Sequence, residues 1–202
     1  MRLPNPYTNP NFPGFSSCAI HDNSVVIQDE LTNNRVIQVS NGAQFYSLSL
    51  VYQDLLQDEY DMLVNFLAKV KRENSTIDVL LPQIENLTFK LNTYIAKAGC
   101  KGNQLIIPNV TSISGKLRLN QYMQIGSHYK LYQVTGSSLQ GTDLVLDVYP
   151  DLFITTNGTE VVNFKTPVMT TRFVDPSKLT GTPLTTDGYY SSLSLELREC
   201  SQ

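Results

Sequence analysis

The stretch AQFYSLSLVY, residues 43–52, decides the fold class because bulky and small side chains alternate along it. Its large apolar residues fall mostly on one side of an extended chain: Tyr46, Leu48, Leu50 and Tyr52, with Phe45 and Val51 on the other. A period of two predicts a β-strand with one buried face. A matching pattern, SLSLELR, returns at residues 192–198. We therefore expect these two distant segments to share a sheet.

The segments around this strand predict more strands and one helix. Residues 24–28 and 35–39 are β-branched runs, and Asn33-Asn34 between them suits a turn. Residues 58–70 differ, because their apolar positions recur every three or four residues. Acidic residues crowd the start of that segment and basic residues its end, as a helix dipole favours. Residues 78–81 predict a short strand that ends at Pro82.

The pattern changes after Pro82. Short alternating runs predict strands at residues 87–95, 105–107, 129–135 and 144–149, the last two separated by the glycine-rich segment 136–141. Closely spaced strands without a helical period are typical of a small β-barrel. Residues 85–165 carry seven Lys and Arg against five Asp and Glu, whereas the remainder carries eight against thirteen. We therefore expect one domain, residues 1–84 with 166–202, to contain a second domain, residues 85–165.

Composition excludes several classes of protein. The 202 residues are 41% hydrophobic and 16% charged, which argues against disorder. A net charge of −3 makes nucleic acid an unfavourable main partner, and sequence-specific nucleic-acid binding is not expected. No apolar run approaches the roughly 18 residues of a membrane span, so no membrane association is expected. Three widely separated cysteines and two histidines predict no disulfide framework, metal site or cofactor.

The sequence lacks the usual catalytic motifs. It contains no GxSxG, GxGxxG or GxxxxGK[ST] segment. Cys100 precedes Lys101 in a predicted hairpin loop, but no histidine lies nearby in the sequence. We expect no enzymatic activity. A hydrolase of cell wall or polysaccharide stays as an alternative, and either a cleft with two acids or Cys100 beside His128 would favour it.

Two sets of aromatic residues are candidate interaction sites. Residues 1–15 contain four prolines, which exclude a helix or a central strand, and predict an extended arm on the protein's own surface or on a neighbour's. Its aromatic residues are the candidate contacts between subunits: Tyr7, Phe12 and Phe15. The pattern favours a spacer or docking role for the predicted barrel, with the binding of an oligosaccharide by stacking of its tyrosines on sugar rings as the alternative. The candidate tyrosines are Tyr122, Tyr129 and Tyr132.

Six short segments in the same order resemble a known family, the distal tail proteins of siphophages in the T-five group. They span nearly the whole chain. They are RLPNPYTNP at 2–10, DEL at 29–31, DEY at 58–60, DVLLPQ at 78–83, YPDLFITT at 149–156 and SLSLELRE at 192–199. Between residues 86 and 145 the resemblance is mostly one of pattern.

The resemblance implies a mainly β protein: a β-sandwich with one α-helix, into which a small barrel of the oligonucleotide/oligosaccharide-binding (OB) kind is inserted. It implies a structural virion protein that forms a hexameric ring and joins the tail tube to the tip or baseplate of a long non-contractile tail. DNA would pass through the ring. The implied partners are further copies of the chain, the tail tube protein and the tip or baseplate hub proteins. Assembly would occur in the host cytoplasm. The alternative function is a carbohydrate-binding module that aids adsorption to an oligosaccharide of the host surface.

Overall fold

The computed structural model describes residues 1–30, 36–82, 94–110, 121–126, 128–175 and 188–200. Within these ranges the single helix is α1 (Gln57–Glu73). The first five strands are β1 (Ser17–Glu30), β2 (Val36–Leu55), β3 (Ile77–Leu80), β4 (Tyr94–Ile95) and β5 (Gly102–Ile107). The remaining strands are β6 (Tyr122–Ile125), β7 (Leu131–Gln140), β8 (Asp143–Leu152), β9 (Val161–Asn163), β10 (Val168–Phe173) and β11 (Tyr190–Glu199).

The chain forms two sheets and two compact units. The sheets have the strand orders β1-β2-β11-β10-β3 and β4-β9-β6-β7-β8-β5. The first unit comprises Leu3–Thr76 and Thr171–Cys200, and the second comprises Ile77–Thr170. Of the first two residues, Met1 belongs to the first unit and Arg2 to the second. The prediction of a mainly β protein with one helix is confirmed.

β2 and β11 pair as the two alternating patterns predict. They are antiparallel, with Leu50 opposite Leu195 and Leu48 opposite Leu197. Opposed residues of such a pair project to the same side of the sheet, so the register brings the apolar rows of both strands together. That row is buried: Tyr46, Leu48, Leu50, Tyr52, Leu193, Leu195 and Leu197. Complete burial of one such side chain contributes roughly 1.5–3 kcal/mol.

The helix α1 has well-defined ends. At its start, the Glu59 side chain accepts a hydrogen bond of 3.0 Å from the Leu56 backbone N–H, which satisfies one group that the helix leaves free. At its end, Asn74 adopts a left-handed conformation with φ 46° and closes the last turn. Leu63, Leu67 and Val70 are buried. The helix predicted for residues 58–70 is confirmed and is one residue longer at its start and three at its end.

The second unit is built around an apolar core of its own. Large buried members of this core include Leu105, Ile107, Met123, Ile125, Tyr132 and Leu146. β4 and β5 are the edges of its sheet, which is open within the described ranges, so closure into a barrel is not observed there. Most of the strand predicted at 87–95, like the turn at Asn33-Asn34, lies outside the described residues.

The connection predicted at residues 136–141 is mostly strand. β7 continues to Gln140, which pairs with Asp143, and only Gly141 and Thr142 form the turn. Gly136 marks an irregularity of register instead of a loop. A Cβ atom at Gly136 would lie 2.5 Å from the Asp147 Oδ2 atom. The glycine therefore permits close strand approach, a role that composition does not distinguish from a turn.

Candidate interaction surfaces

One face of β1, β2 and β11 presents polar side chains in rows that the strand register defines. Two of these rows are His21–Ser47–Arg198 and Ala19–Ser49–Glu196. The leucines between these positions project to the opposite, buried side of the sheet. The polar side lines a shallow groove of about 450 Å³ together with Phe45 and Val174. This polar sheet face is a candidate surface for contact with another polypeptide.

A cation–π contact fixes an arginine on the polar sheet face. The guanidinium carbon of Arg198 lies 3.7 Å from the centroid of the Phe45 ring. Such a contact is worth about 0.5–1 kcal/mol at an exposed site. Since a guanidinium has five N–H donors around its edge, stacking on an aromatic face leaves those donors able to meet acceptors on a partner.

The opposite side of the same sheet holds two polar groups in the apolar layer. Glu199 is 3% exposed, and its Oε2 atom accepts a 3.1 Å hydrogen bond from the Tyr46 backbone N–H. Burial raises the pKa of the Cys18 thiol to about 11. Because the thiolate is the reactive form, Cys18 is a poor nucleophile at neutral pH. Both groups belong to the architecture of the sheet.

The aromatic residues of the predicted arm differ in exposure. Leu3 and Asn5 are buried, and the Met1 amino group donates a hydrogen bond to the Thr76 carbonyl oxygen. The first residues of the arm therefore pack against the subunit to which they belong. Phe15 packs edge-on against Tyr52 at a centroid distance of 6.1 Å. Phe12 is partly buried.

Tyr7, by contrast, is 80% exposed. It lies in a turn in which the Asn5 Oδ1 atom accepts a hydrogen bond from the Tyr7 N–H and the Asn5 carbonyl accepts one from Thr8. Fixed backbone conformation lowers the entropy lost when such a side chain is buried by a partner. Tyr7 is thus the member of the arm that is presented outward.

The three candidate sugar-stacking tyrosines are not equivalent. Tyr129 is 50% exposed, and Tyr122 is partly buried. Tyr132 is fully buried, so it has no free ring face and its assignment to a stacking surface is wrong. Its hydroxyl accepts a hydrogen bond from the Phe153 N–H at 3.1 Å and lies 2.8 Å from the His128 Nδ1 atom. In an extended strand Tyr129 and Tyr132 project to opposite faces, but the sequence pattern does not determine which of the two faces is buried.

Two exposed apolar residues lie in the segment whose backbone bonds to the Tyr132 hydroxyl, and the sequence analysis did not select them as candidates. Phe153 is 63% exposed and Ile154 is 44% exposed. Because one hydroxyl contacts both His128 and the Phe153 backbone, the Tyr129 and Phe153 segments are neighbours. The YPDLF segment, residues 149–153, contains the signal, an aromatic residue after a Pro-Asp pair, but that pattern favours a buried crossing.

His128 is buried beside Tyr132. It is 3% exposed, and within the described residues its Nε2 atom has no hydrogen-bond partner. Burial lowers the pKa of its imidazole, while the negative charge of Glu160 acts in the opposite direction. An imidazole that is unfavourable to protonate in this site stays neutral to lower pH than an exposed one.

Glu160 is buried because the chain folds a turn around its carboxylate. The backbone N–H groups of Asn157, Gly158 and Thr159 all donate to its oxygens, at 2.9–3.2 Å. Burial alone would raise the pKa of Glu160, but these backbone donors outweigh it and lower the pKa. Charge-assisted bonds of this kind stabilise a local turn.

Cys100 is part of the core of the second unit. It is 7% exposed, its Sγ atom lies 3.2 Å from the Lys97 carbonyl oxygen, and its N–H donates to the Thr156 hydroxyl. Within the described ranges, His, Cys, Asp and Glu side chains form no cluster of three or more that could hold a metal ion. Over the same residues, no helix is both long and apolar enough to cross a membrane.

Two family models match the chain in sequence. The family model of distal tail protein pb9, A domain, N-terminal part, matches residues 3–84. The model of distal tail protein pb9, B domain, matches residues 89–166. Two models that meet near residue 85 together cover most of the chain.

The chain belongs to the distal tail protein family, and it is a structural component of a phage virion tail. Among known members, distal tail protein pb9 of Escherichia phage T5 is 37% identical to it over 203 residues. That similarity covers 98% of this chain and 99% of the T5 protein. As a tail protein, the chain associates with other tail components.

We predict that His128 makes the stability of the protein depend on pH. Its pKa is lower in the folded than in the unfolded chain, so the unfolded chain binds the extra proton as the pH falls through about 6.5. The free energy of unfolding should therefore decrease as the pH falls below about 6.5, and His128→Gln should reduce that decrease. Chemical denaturation at a series of pH values measures it.

The matched control is His21→Gln, which removes the other histidine from an exposed strand position. It should leave the pH dependence as in the wild type. Equal pH dependence in the wild type and the His128 variant would contradict the prediction.

Proposed function

We propose that this protein is the distal hub of a long non-contractile tail, where copies of the chain form a closed ring between the tail tube and the tip or baseplate. The observation that carries the proposal is the similarity to a distal tail protein over 98% of the chain. Six copies form the ring, which assembles in the host cytoplasm. Its partners are the tail tube protein on one side and the tip or baseplate hub proteins on the other.

A ring places particular demands on a subunit. Each copy needs two different patches that fit one another, since repetition of a heterologous contact around an axis closes the assembly. The polar sheet face and the outward Tyr7 of the arm are two such patches within the first unit. An exposed aromatic residue in a fixed turn is a suitable anchor at a protein interface.

The charge distribution suits the passage of DNA. Outside residues 85–165 the chain has eight basic and thirteen acidic residues, a net charge of −5. A ring lined by such a domain does not retain DNA, because like charges repel. This supports a passive channel and gives no role to sequence-specific recognition.

We further propose that residues 85–165 are an inserted domain that ring formation does not require, and that residues 1–84 and 166–202 are the ring-forming domain. The Leu81 N–H donates a 3.1 Å hydrogen bond to the Pro167 carbonyl oxygen, so the two ends of the insertion lie side by side. The family models, which match residues 3–84 and 89–166, support the same division. The inserted domain would adopt the OB-type barrel.

A second candidate function is the binding of a host surface oligosaccharide by the inserted domain. The half-exposed Tyr129 and the neighbouring, 63% exposed Phe153 favour it, because aromatic faces are suitable partners for sugar rings. This function is compatible with the hub, since binding would occur on the outside of the ring.

The experiment that tests the hub is immunogold labelling of tail particles with an antibody to this protein, viewed by negative-stain microscopy. We expect label at the junction of tube and tip. Label that is absent from tails, or scattered on fibres, would overturn the hub and favour the carbohydrate-binding function.

We predict that Tyr7→Ser weakens ring formation without loss of folding. Tyr7 is 80% exposed, so its removal should change the free energy of unfolding by less than about 0.5 kcal/mol. Loss of an aromatic anchor from an interface commonly costs about 2 kcal/mol or more, roughly a thirtyfold weaker contact. Analytical ultracentrifugation and incorporation into tails measure the effect.

The control is Tyr189→Ser, at a tyrosine that is 42% exposed. Equal assembly of the two variants would contradict the role of Tyr7.

We also predict that a variant in which a short linker joins Gln83 to Thr166 still forms the ring. The hydrogen bond between Leu81 and Pro167 supports the use of a short linker, because it holds these two nearby residues side by side. Circular dichroism tests folding, and light scattering tests the assembled mass. If the shortened chain folds but stays monomeric where the full chain assembles, the insertion contributes to the ring and the prediction fails.

A further inference from the structure

A cavity at the carboxyl end of α1 is lined by cationic side chains from two elements. Its volume is about 300 Å³, and it is bounded by Val70, Lys71, Asn74, Ser75, Arg172 and Phe173. The helix dipole explains basic residues in the last turn of α1, where Lys71 lies. It does not explain Arg172, because that residue is contributed by β10.

The cationic side chains of this cavity are available to a ligand. Lys71 and Arg172 are exposed, and the ion pairs found within the described ranges, Arg72–Glu73 and Lys97–Asp143, include neither of them. The Ser75 Oγ atom is buried and has no hydrogen-bond partner within those ranges. Two cations around an unsatisfied hydroxyl favour a carboxylate, which supplies both negative charge and hydrogen-bond acceptors.

The amino end of the same helix has the complementary composition. Asp58 and Asp61 are exposed, and their spacing of three residues places them on one face of α1. Leu56, the residue that caps the helix, is 52% exposed beside them. An apolar side chain flanked by carboxylates matches a cavity with cations at its rim and with Val70 and Phe173 in its wall.

The two ends of α1 cannot meet within one chain. The helix has 17 residues and is therefore roughly 25 Å long at 1.5 Å per residue. Two unlike, complementary patches on one subunit define a heterologous contact, the type that closes into rings.

We propose that the basic cavity at the carboxyl end of α1 receives the acidic amino end of α1 from a second copy of this chain, so that the helices follow one another head to tail around the ring. The inference rests on the proposed hub function and names one of its contacts. Exposed ion pairs contribute little affinity, so these charges chiefly set the direction and register of the contact.

The test is charge reversal at each end in the full-length chain. One variant is Lys71→Glu with Arg172→Glu, and the other is Asp58→Lys with Asp61→Lys. Either variant by itself places like charges against each other at the proposed contact. We expect it to assemble only at a protein concentration about tenfold higher than the wild type requires, and light scattering over a concentration series measures this. The control, Lys101→Glu with Lys165→Glu, makes the same charge change at exposed positions of the other unit and should assemble as the wild type does.

Mixing distinguishes a lost contact from a lost fold. In an equimolar mixture, the two variants can alternate around a ring with an even number of subunits. Every cavity then faces a helix start of opposite charge. A chain that carries all four substitutions should also assemble. Unchanged assembly of the single-end variants, failure of the mixture to recover, or a wild-type chain that stays monomeric or stops at a dimer would overturn the inference.

Incorporation into tails separates this inference from the function on which it rests. If the wild type labels the junction of tube and tip but both single-end variants incorporate equally well, the contact is wrong and the hub stands. If only the Lys71 and Arg172 variant is excluded, the cavity holds an acidic segment of another tail protein and the inference is wrong. If the wild type itself is absent from tails, the hub proposal fails.

Discussion

The pairing of β2 with β11 is the constraint on which the rest of the first unit depends. It joins residues 47–55 to residues 190–198, and it brings the tyrosines and leucines of β2 against the leucines of β11 in one buried layer. A shift of register by one residue would turn every one of these side chains toward solvent and bury the serines between them. The same register that fixes the core therefore also fixes the polar sheet face, with Arg198 stacked on Phe45. Core and interaction surface are two sides of a single arrangement.

The sequence predicted those elements whose pattern is local. Alternation in residues 43–52 and 192–198 identified the two strands, and the three-to-four spacing with charged ends identified α1. One feature depends on a distant partner and was not predictable in this way. The segment 136–141 has the composition of a loop, yet residues 136–140 continue β7, because they pair with β8.

The candidate sites show the same division between local pattern and distant contact. Tyr132 and Tyr129 both looked able to stack on a ligand, but only the contacts of the Tyr132 hydroxyl with His128 and Phe153 reveal which of them is buried. Likewise, Glu160 is charged and would be expected at the surface. It is buried because three successive backbone N–H groups converge on its carboxylate, which the residue types alone do not specify.

The position of β11 has a consequence for synthesis of the protein. This strand lies between β2 and β10 in its sheet, although it is formed by residues 190–199. A ribosome needs on the order of ten seconds to make the residues that separate β2 from it. During that interval β2 lacks one of its two neighbours, and the backbone groups along that edge stay unpaired. The sheet can therefore be completed only after the inserted unit has been synthesised, and a nascent chain on the ribosome cannot present the finished polar face to other subunits.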